Sequence, residues 1–389
     1  MKVDRLSAWV EVDLDAFEWN LERIRELAGK GTRVLLVVKA DAYGHGAVRM
    51  SRFAAEKGVD MLGVATLDEG RELRKAGIEL PIIILSPVLP DELEEVLESN
   101  LAVTASSLEF ARAAAETASR KGVTCRIHVE VDTGMGRAGL SCAGAVEEII
   151  EMSGLSGISL EGIYTHFPAS DIDVDYTEDQ IRVFNETLAT LSSKGVSFDY
   201  IHSANSAAIL NFPSSHFNLI RPGLLAYGHY PSIDLRDRIE LAPVMKFKSR
   251  LVLVREISAG QSISYGRTFI APRDMTIGVI GAGYGHGMSH RLSNKGMILY
   301  RGEKVPITGR VTMDMTMIDL TGFDSPKVGE EVVIFGNQSE GNISADDIAQ
   351  WDGTLNYEVL CRISKRVVRA YLRSGKLDSL KSLLGVHKI

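Results

Sequence analysis

The stretch TCRIHVEVDTGMGRAG (124–139) closes a strand and opens a glycine-rich loop. Successive side chains of a strand point to opposite faces, so Ile127, Val129 and Val131 share one face. Arg126, His128, Glu130 and Asp132 share the other. The apolar face is the one that packs against helices. The polar face then points inward, where charges withdrawn from water must be met by partners or by a ligand. An interior this polar is a site rather than a plain core.

Working outward, short apolar runs alternate with amphipathic stretches from about residue 33 to 225. Strands are expected at 33–39, 61–65, 81–85, 101–105, 124–132, 159–166, 200–205 and 218–221. Helices are expected at 47–57, 67–76, 90–98, 107–121 and 177–193. Strand–helix alternation implies parallel pairing, and this many units suggest closure into a (β/α)8 TIM barrel. A doubly wound open sheet is the rival. No glycine fingerprint follows the first strand, which weakens it. Beyond residue 242 the texture changes to strands at 246–257, 275–280, 297–300, 316–320 and 331–335, broken by Gly, Asn and Asp turns. Only 344–350 reads as helical there. The expected organisation is a barrel domain over 1–242 and a mainly β C-terminal domain over 243–389. The strand-like 8–12 has no place in the barrel count and is free to pair with the second domain.

A chain of 389 residues exceeds what one core usually serves. No apolar run is long enough to cross a bilayer, and the N-terminus MKVDRLSAWVEVDLD lacks an apolar signal segment. A net charge of -8 with dispersed basic residues argues against a nucleic-acid partner. Cys125, Cys142 and Cys361 form no close pair, which suits reduced thiols in the cytoplasm and gives no metal site.

In a barrel of this kind chemistry sits where strands end. Lys39 falls at the end of the first expected strand, Asp132 at the fifth and His166 at the sixth. Asn205 and Ser206 follow the seventh, and Arg221-Pro222-Gly223 the eighth. A lysine at a buried strand end has its pKa lowered by desolvation, which makes the neutral amine accessible and suits a Schiff-base lysine. A lysine snorkelling to solvent is the alternative from position alone. The following ADAYGHG favours the first, because its tyrosine and glycines permit close approach of something bulky and anionic.

VVKADAYGHG (37–46) resembles the cofactor-lysine motif of the alanine racemase family. VDTGMGRAG (131–139), YTHF (164–167), ANSAA (204–208), RPGLLAYG (221–228), SYGRTF (264–269), GRVTMDM (309–315) and NYEVLCRIS (356–364) resemble that family's blocks, in its order. The resemblance implies a pyridoxal 5′-phosphate enzyme that interconverts L- and D-alanine for peptidoglycan, with a barrel followed by a β domain. It implies Lys39 as cofactor lysine and base for the D-enantiomer, and Tyr265 of a second subunit as the opposite base, hence a homodimer with shared sites. It further implies His166 and Arg221 as groups that lower the phenol's pKa, with Arg221 also facing the pyridine nitrogen. Tyr43, Ser206, Tyr357 and the backbone of Gly223 and Leu224 are implied as phosphate ligands. Arg137 and the backbone of Met313 are implied as ligands of the substrate carboxylate, and Tyr284 as a residue lining the entrance.

The sequence departs from the family in places. Glu130 stands where many members have a lysine bearing a carbamate, so we expect Glu130 to orient Arg137, the alternative being pairing with His128 or Arg126. His286 stands where aspartate is usual. A racemase of broader scope, taking serine or larger residues, is the runner-up function. A barrel-type decarboxylase is disfavoured by Arg221 at the ring nitrogen, and a non-catalytic cofactor carrier by the presence of the β domain.

Overall fold

The computed structural model describes residues 3–388 and divides them into two compact units. One comprises Glu18–Ala42 and Ala47–Ala242; the other comprises Met1–Phe17, Tyr43–Gly46 and Pro243–Ile389.

In the first unit Arg33–Val37, Met61–Val64, Ile82–Ile84, Ala102–Ala105, Cys125–Asp132, Ile158–Tyr164 and Tyr200–His202 pair in parallel, each with the next. Leu219–Ile220 pairs with Arg33–Val37. The seam between the last two is bridged by the Arg221 N–H donating to Ala204 O at 2.9 Å and the Ile201 N–H to Asn218 Oδ1 at 2.8 Å. The result is a nearly closed eight-stranded barrel wrapped by helices. Strand residues such as Val34, Leu35, Leu36 and Ile82 to Ile84 are buried on both faces, as continuous apolar runs of parallel strands require. Helices turn their apolar stripe inward, for example Met50, Phe53 and Ala54 of Ala47–Glu56, and Ala111, Ala114 and Ala118 of Leu108–Lys121. Thr66 and Ser107 accept hydrogen bonds at two helix starts, which fixes where the chain leaves the strand.

The second unit is mainly β. Its largest sheet runs Glu303–Pro306, Met297–Tyr300, Glu331–Gln338, Met245–Ile257, Ala8–Asp13, Val368–Arg373, Lys376–Ser382 and Gly385–Lys388. Ala8–Asp13 lies antiparallel to Met245–Ile257 and parallel to Val368–Arg373. Along Met245–Ile257, Met245, Phe247, Ser249 and Leu251 are buried while the basic residues between them are not, the period-two pattern of a half-buried strand. Among the described residues after 242 two α-helices occur instead of the single one expected, Ala345–Asp352 and Asn356–Cys361. The second is six residues long, too short to show a periodic pattern. Among the described residues no helix is long and apolar enough to cross a membrane.

Candidate active site

The first strand stops at Val37, two residues before the lysine. Lys39 opens a turn in which Ala40, Asp41, Ala42 and Tyr43 have φ of 54°, 54°, 55° and 51°. Four consecutive left-handed residues with side chains are costly, at about 1–2 kcal/mol each, and persist only where the surroundings enforce them. Glu69 does so from the helix Leu67–Lys75: its Oε1 accepts from Ala40 N and its Oε2 from Ala65 N, both at 2.7 Å. Asp41 Oδ1 accepts from Ala47 N at 2.8 Å. The residues that follow, Tyr43–Gly46, belong to the β unit and are held by it. Arg369 Nε donates to Gly44 O at 3.2 Å and Tyr371 Oη to His45 O at 3.0 Å. A Cβ on Gly46 would run into the Tyr371 hydroxyl, and one on Gly44 into Leu360 O. These glycines therefore admit the protein's own hydroxyl and carbonyl.

Arg221 follows Leu219–Ile220, the strand paired with the first, and is 4% exposed, with no carboxylate in ion-pair range among the described residues. Its partners are neutral acceptors. Nη1 donates to His202 Nδ1 at 2.8 Å; Nη2 donates to Thr165 O at 2.9 Å, Ser203 O at 3.1 Å and His166 Nδ1 at 3.2 Å. His202 Nε2 then bears the ring proton and donates to His128 Nδ1 at 2.9 Å. Burial, then Arg221, Arg137 and Lys39, hold His166 well below the usual imidazole range. Burial, then Arg221 and His128, do the same to His202, and burial, then Arg126 and Arg221, bring His128 down to about 3. Burial lowers Arg221 itself to about 10, so it stays a cation near neutrality. Three neutral imidazoles and one guanidinium thus form a fixed, singly positive cluster, in which His166 also feels the Lys39 charge.

Glu130 is 3% exposed and its Oε2 is buried with no hydrogen-bond partner. Burial raises its pKa, opposed first by Arg137 and then by Arg221 and the Tyr164 hydroxyl. Neither alternative partner takes it up: His128 pairs with His202, and Arg126 donates to Asn100. Nor does Glu130 make an ion pair with Arg137, whose guanidinium is exposed and unpaired among the described residues. Glu130 acts on Arg137 through space only.

Ser206 opens a short helix, and its Oγ accepts from Gly223 N at 3.1 Å and Leu225 N at 3.4 Å. Leu224 begins the 3₁₀ turn Leu224–Tyr227. This cup of one hydroxyl and backbone N–H groups suits a phosphate. In the β unit the Tyr43 and Tyr357 rings sit 6.1 Å apart, and burial, then Tyr357, raises the Tyr43 phenol. Tyr265 and Met313 are 73% and 51% exposed there. Met313 O accepts from Gly285 N at 2.8 Å, while its own N–H has no partner among the described residues. His286 Nδ1 accepts from Gly283 N at 3.2 Å; burial and then Arg366 lower its pKa. Sequence reasoning missed His202 and Glu69. His202 had a usable signal, a polar side chain inside an apolar strand; Glu69 had none.

The family model for the alanine racemase N-terminal domain matches residues 12–231, and that for its C-terminal domain matches 244–371. The chain is 44% identical to alanine racemase 2 of Caldanaerobacter subterraneus subsp. tengcongensis, over 97% of this chain and 98% of that protein. Its structure is similar to alanine racemase of Clostridium difficile 630, with TM-score 0.95 and 38% identity over 98% of this chain and 100% of that one. It is also similar to the Bacillus anthracis alanine racemase with bound L-Ala-P, with TM-score 0.92 and 35% identity over 97% and 98% of the two chains.

Proposed function

The chain belongs to the alanine racemase family and is an isomerase acting on alanine; from that premise we propose how its own residues carry out the reaction with pyridoxal 5′-phosphate. The relatives are named for alanine, which leaves the broader-scope alternative without support. The observation that carries the reading is Arg221, a buried cation whose partners are all neutral acceptors, among them His166, a ring that also feels the Lys39 charge.

The donor set fits the cofactor. Ser206 with the N–H groups of Gly223 and Leu224 would hold its phosphate, and Lys39 would hold it covalently. Arg221 would meet the ring nitrogen, where a second cation a few ångströms away is opposed by about 4 kcal/mol at an effective dielectric of about 20. When bound, the cofactor withdraws electrons from the substrate's amino-bearing carbon and makes its proton removable, weakly so with that nitrogen unprotonated.

Lys39 Nζ removes or returns the proton on one face, serving the D-enantiomer. The other face needs a second base, and Tyr265 Oη of a second copy supplies it. A phenol is a poor base near neutrality unless a donor stabilises its anion. With Nδ1 occupied by Arg221, neutral His166 carries its proton on Nε2, the donor required. Arg137 and the Met313 N–H of the second copy bind the substrate carboxylate. Exposed Tyr265 and Met313 support a homodimer in which each protomer completes the other's site. Supply of D-alanine for peptidoglycan in the cytoplasm is the physiological role we propose.

The test incubates purified protein and pyridoxal phosphate with L-alanine, D-alanine, L-serine and L-arginine in heavy water. Deuterium at Cα with loss of optical rotation is expected for both alanines. Carbon dioxide release, or no exchange at all, overturns the reading.

A further inference from the structure

The loop that presents Arg137 has almost no regular structure to hold it, and the guanidinium has no partner of its own among the described residues. Where the loop sits therefore decides where the charge sits. Asp132 folds the loop, its Oδ1 accepting from the N–H groups of Gly134, Met135 and Gly136 at 3.0, 2.8 and 3.1 Å. Folding a loop does not place it. Its far end is tied by the pairing of Leu140–Ser141 with Val131 and Asp132, and its first residues are placed by two side chains of the helix Val174–Ser193. Tyr176 Oη donates to Gly134 O at 2.8 Å. Gln180 Nε2 donates to Thr133 Oγ1 at 3.2 Å and to His166 O at 3.5 Å, and Thr133 Oγ1 meets Thr165 Oγ1 at 2.7 Å.

Tyr176 and Gln180 are four residues apart, hence on one helix face. That face is pressed against the loop: a Cβ on Gly134 would run into Tyr176 Oη and come within 3.3 Å of Gln180 Nε2. Gln180 is 1% exposed, and its Oε1 is buried without a partner. An unmet amide oxygen costs about 1–3 kcal/mol. An apolar side chain of that size would avoid this cost, so the amide is there for its N–H groups.

We propose that Tyr176 and Gln180 are positioning residues that set the Arg137 loop, and so govern how tightly the substrate carboxylate is held rather than how fast its proton moves. The proposal rests on reading Arg137 as the carboxylate ligand. Losing an interaction made equally in ground and transition states raises KM and leaves kcat unchanged. The two enantiomers are equal in free energy, so their kcat/KM values are equal and must fall together.

Steady-state rates of the holoenzyme are measured for Arg137→Lys, Tyr176→Phe and Gln180→Met with L- and D-alanine, alongside hydrogen exchange of the 134–136 amides. For Tyr176→Phe and Gln180→Met, KM is expected to rise roughly three- to tenfold for both enantiomers, with kcat within about twofold and faster loop exchange. Arg137→Lys is expected to raise KM as well. An unchanged KM in Arg137→Lys overturns the reading of Arg137, and the proposal with it. A raised KM there beside an unchanged KM in Tyr176→Phe overturns this proposal alone, as does a fall in kcat at constant KM.

Discussion

Arg221 Nη1 donates to His202 Nδ1 across 2.8 Å, inside a barrel where no carboxylate among the described residues comes within ion-pair range of the arginine. This one bond sets the tautomers of a chain of rings. His202 must carry its proton on Nε2, which obliges His128 to accept at Nδ1 and carry its own on Nε2, a buried atom with no partner. Removing the acceptor should disturb Arg221 directly. A hydrogen bond to a charged group contributes about 1.5–3 kcal/mol, so His202→Leu is expected to lower kcat/KM roughly ten- to a hundredfold. Steady-state kinetics with either alanine enantiomer reads this, and a loss smaller than about threefold would falsify a role for His202 in holding Arg221.

The same rings give a signed dependence of stability on pH. His128 has a folded pKa of about 3 against an ordinary 6.5, so between these values the unfolded chain binds the extra proton. Stability is then fully present above 6.5 and is lost as pH falls toward 3. Each such histidine contributes a slope of about 1.4 kcal/mol per pH unit. His166 and His202 act in the same direction. Urea midpoints read from about pH 6.5 down to about pH 5, above the carboxylate range, should fall steadily for the natural chain. His128→Leu should flatten that slope by one proton; identical slopes would mean that His128 is not neutral in the folded state.

Much of this site was legible in the sequence because it lies on strands. The inward face of Cys125–Asp132 follows from alternation, and Arg221 and His166 fall at strand ends, where a barrel places its chemistry. What escaped depends on backbone or on distant partners. The first strand was expected to reach Lys39 but stops at Val37, since no propensity foretells a left-handed turn through Ala40, Asp41, Ala42 and Tyr43. Glu69 is a helix residue like its neighbours until the fold brings it under Ala40. Nothing in the cofactor-lysine motif foretells that its glycines make room for Leu360 O and the Tyr371 hydroxyl, which come from distant sequence.

Glu130 presents a buried carboxylate oxygen without a partner, and the cation it feels most is Arg137. Its field should favour the guanidinium near the site even without an ion pair. Glu130→Gln keeps the shape and removes the charge, so alanine KM is expected to rise about fivefold or more with little change in kcat. Because burial raises the Glu130 pKa, the natural enzyme should also lose affinity as the solution is acidified and the carboxylate becomes neutral. The Gln variant should lack that acid limb. KM measured against pH for both proteins decides the matter, and superimposable curves would remove Glu130 from substrate binding.

The close approach of Gly46 to Tyr371 can be tested as a coupled pair. Gly46 has φ of 98°, and a Cβ there meets the Tyr371 hydroxyl first and Cζ next, at 3.2 Å. Gly46→Ala is therefore expected to destabilise the protein by about 2–4 kcal/mol, part from the clash and part from the backbone. Tyr371→Phe alone loses the bond to His45 O and should cost about 1–2 kcal/mol. In the double variant the colliding atom is gone, leaving only the tighter ring contact and the positive φ. The two changes should then cost less together than their sum, by about 1–2 kcal/mol, in a cycle of urea midpoints. Strict additivity would show that backbone strain alone, and not the hydroxyl, demands glycine at position 46.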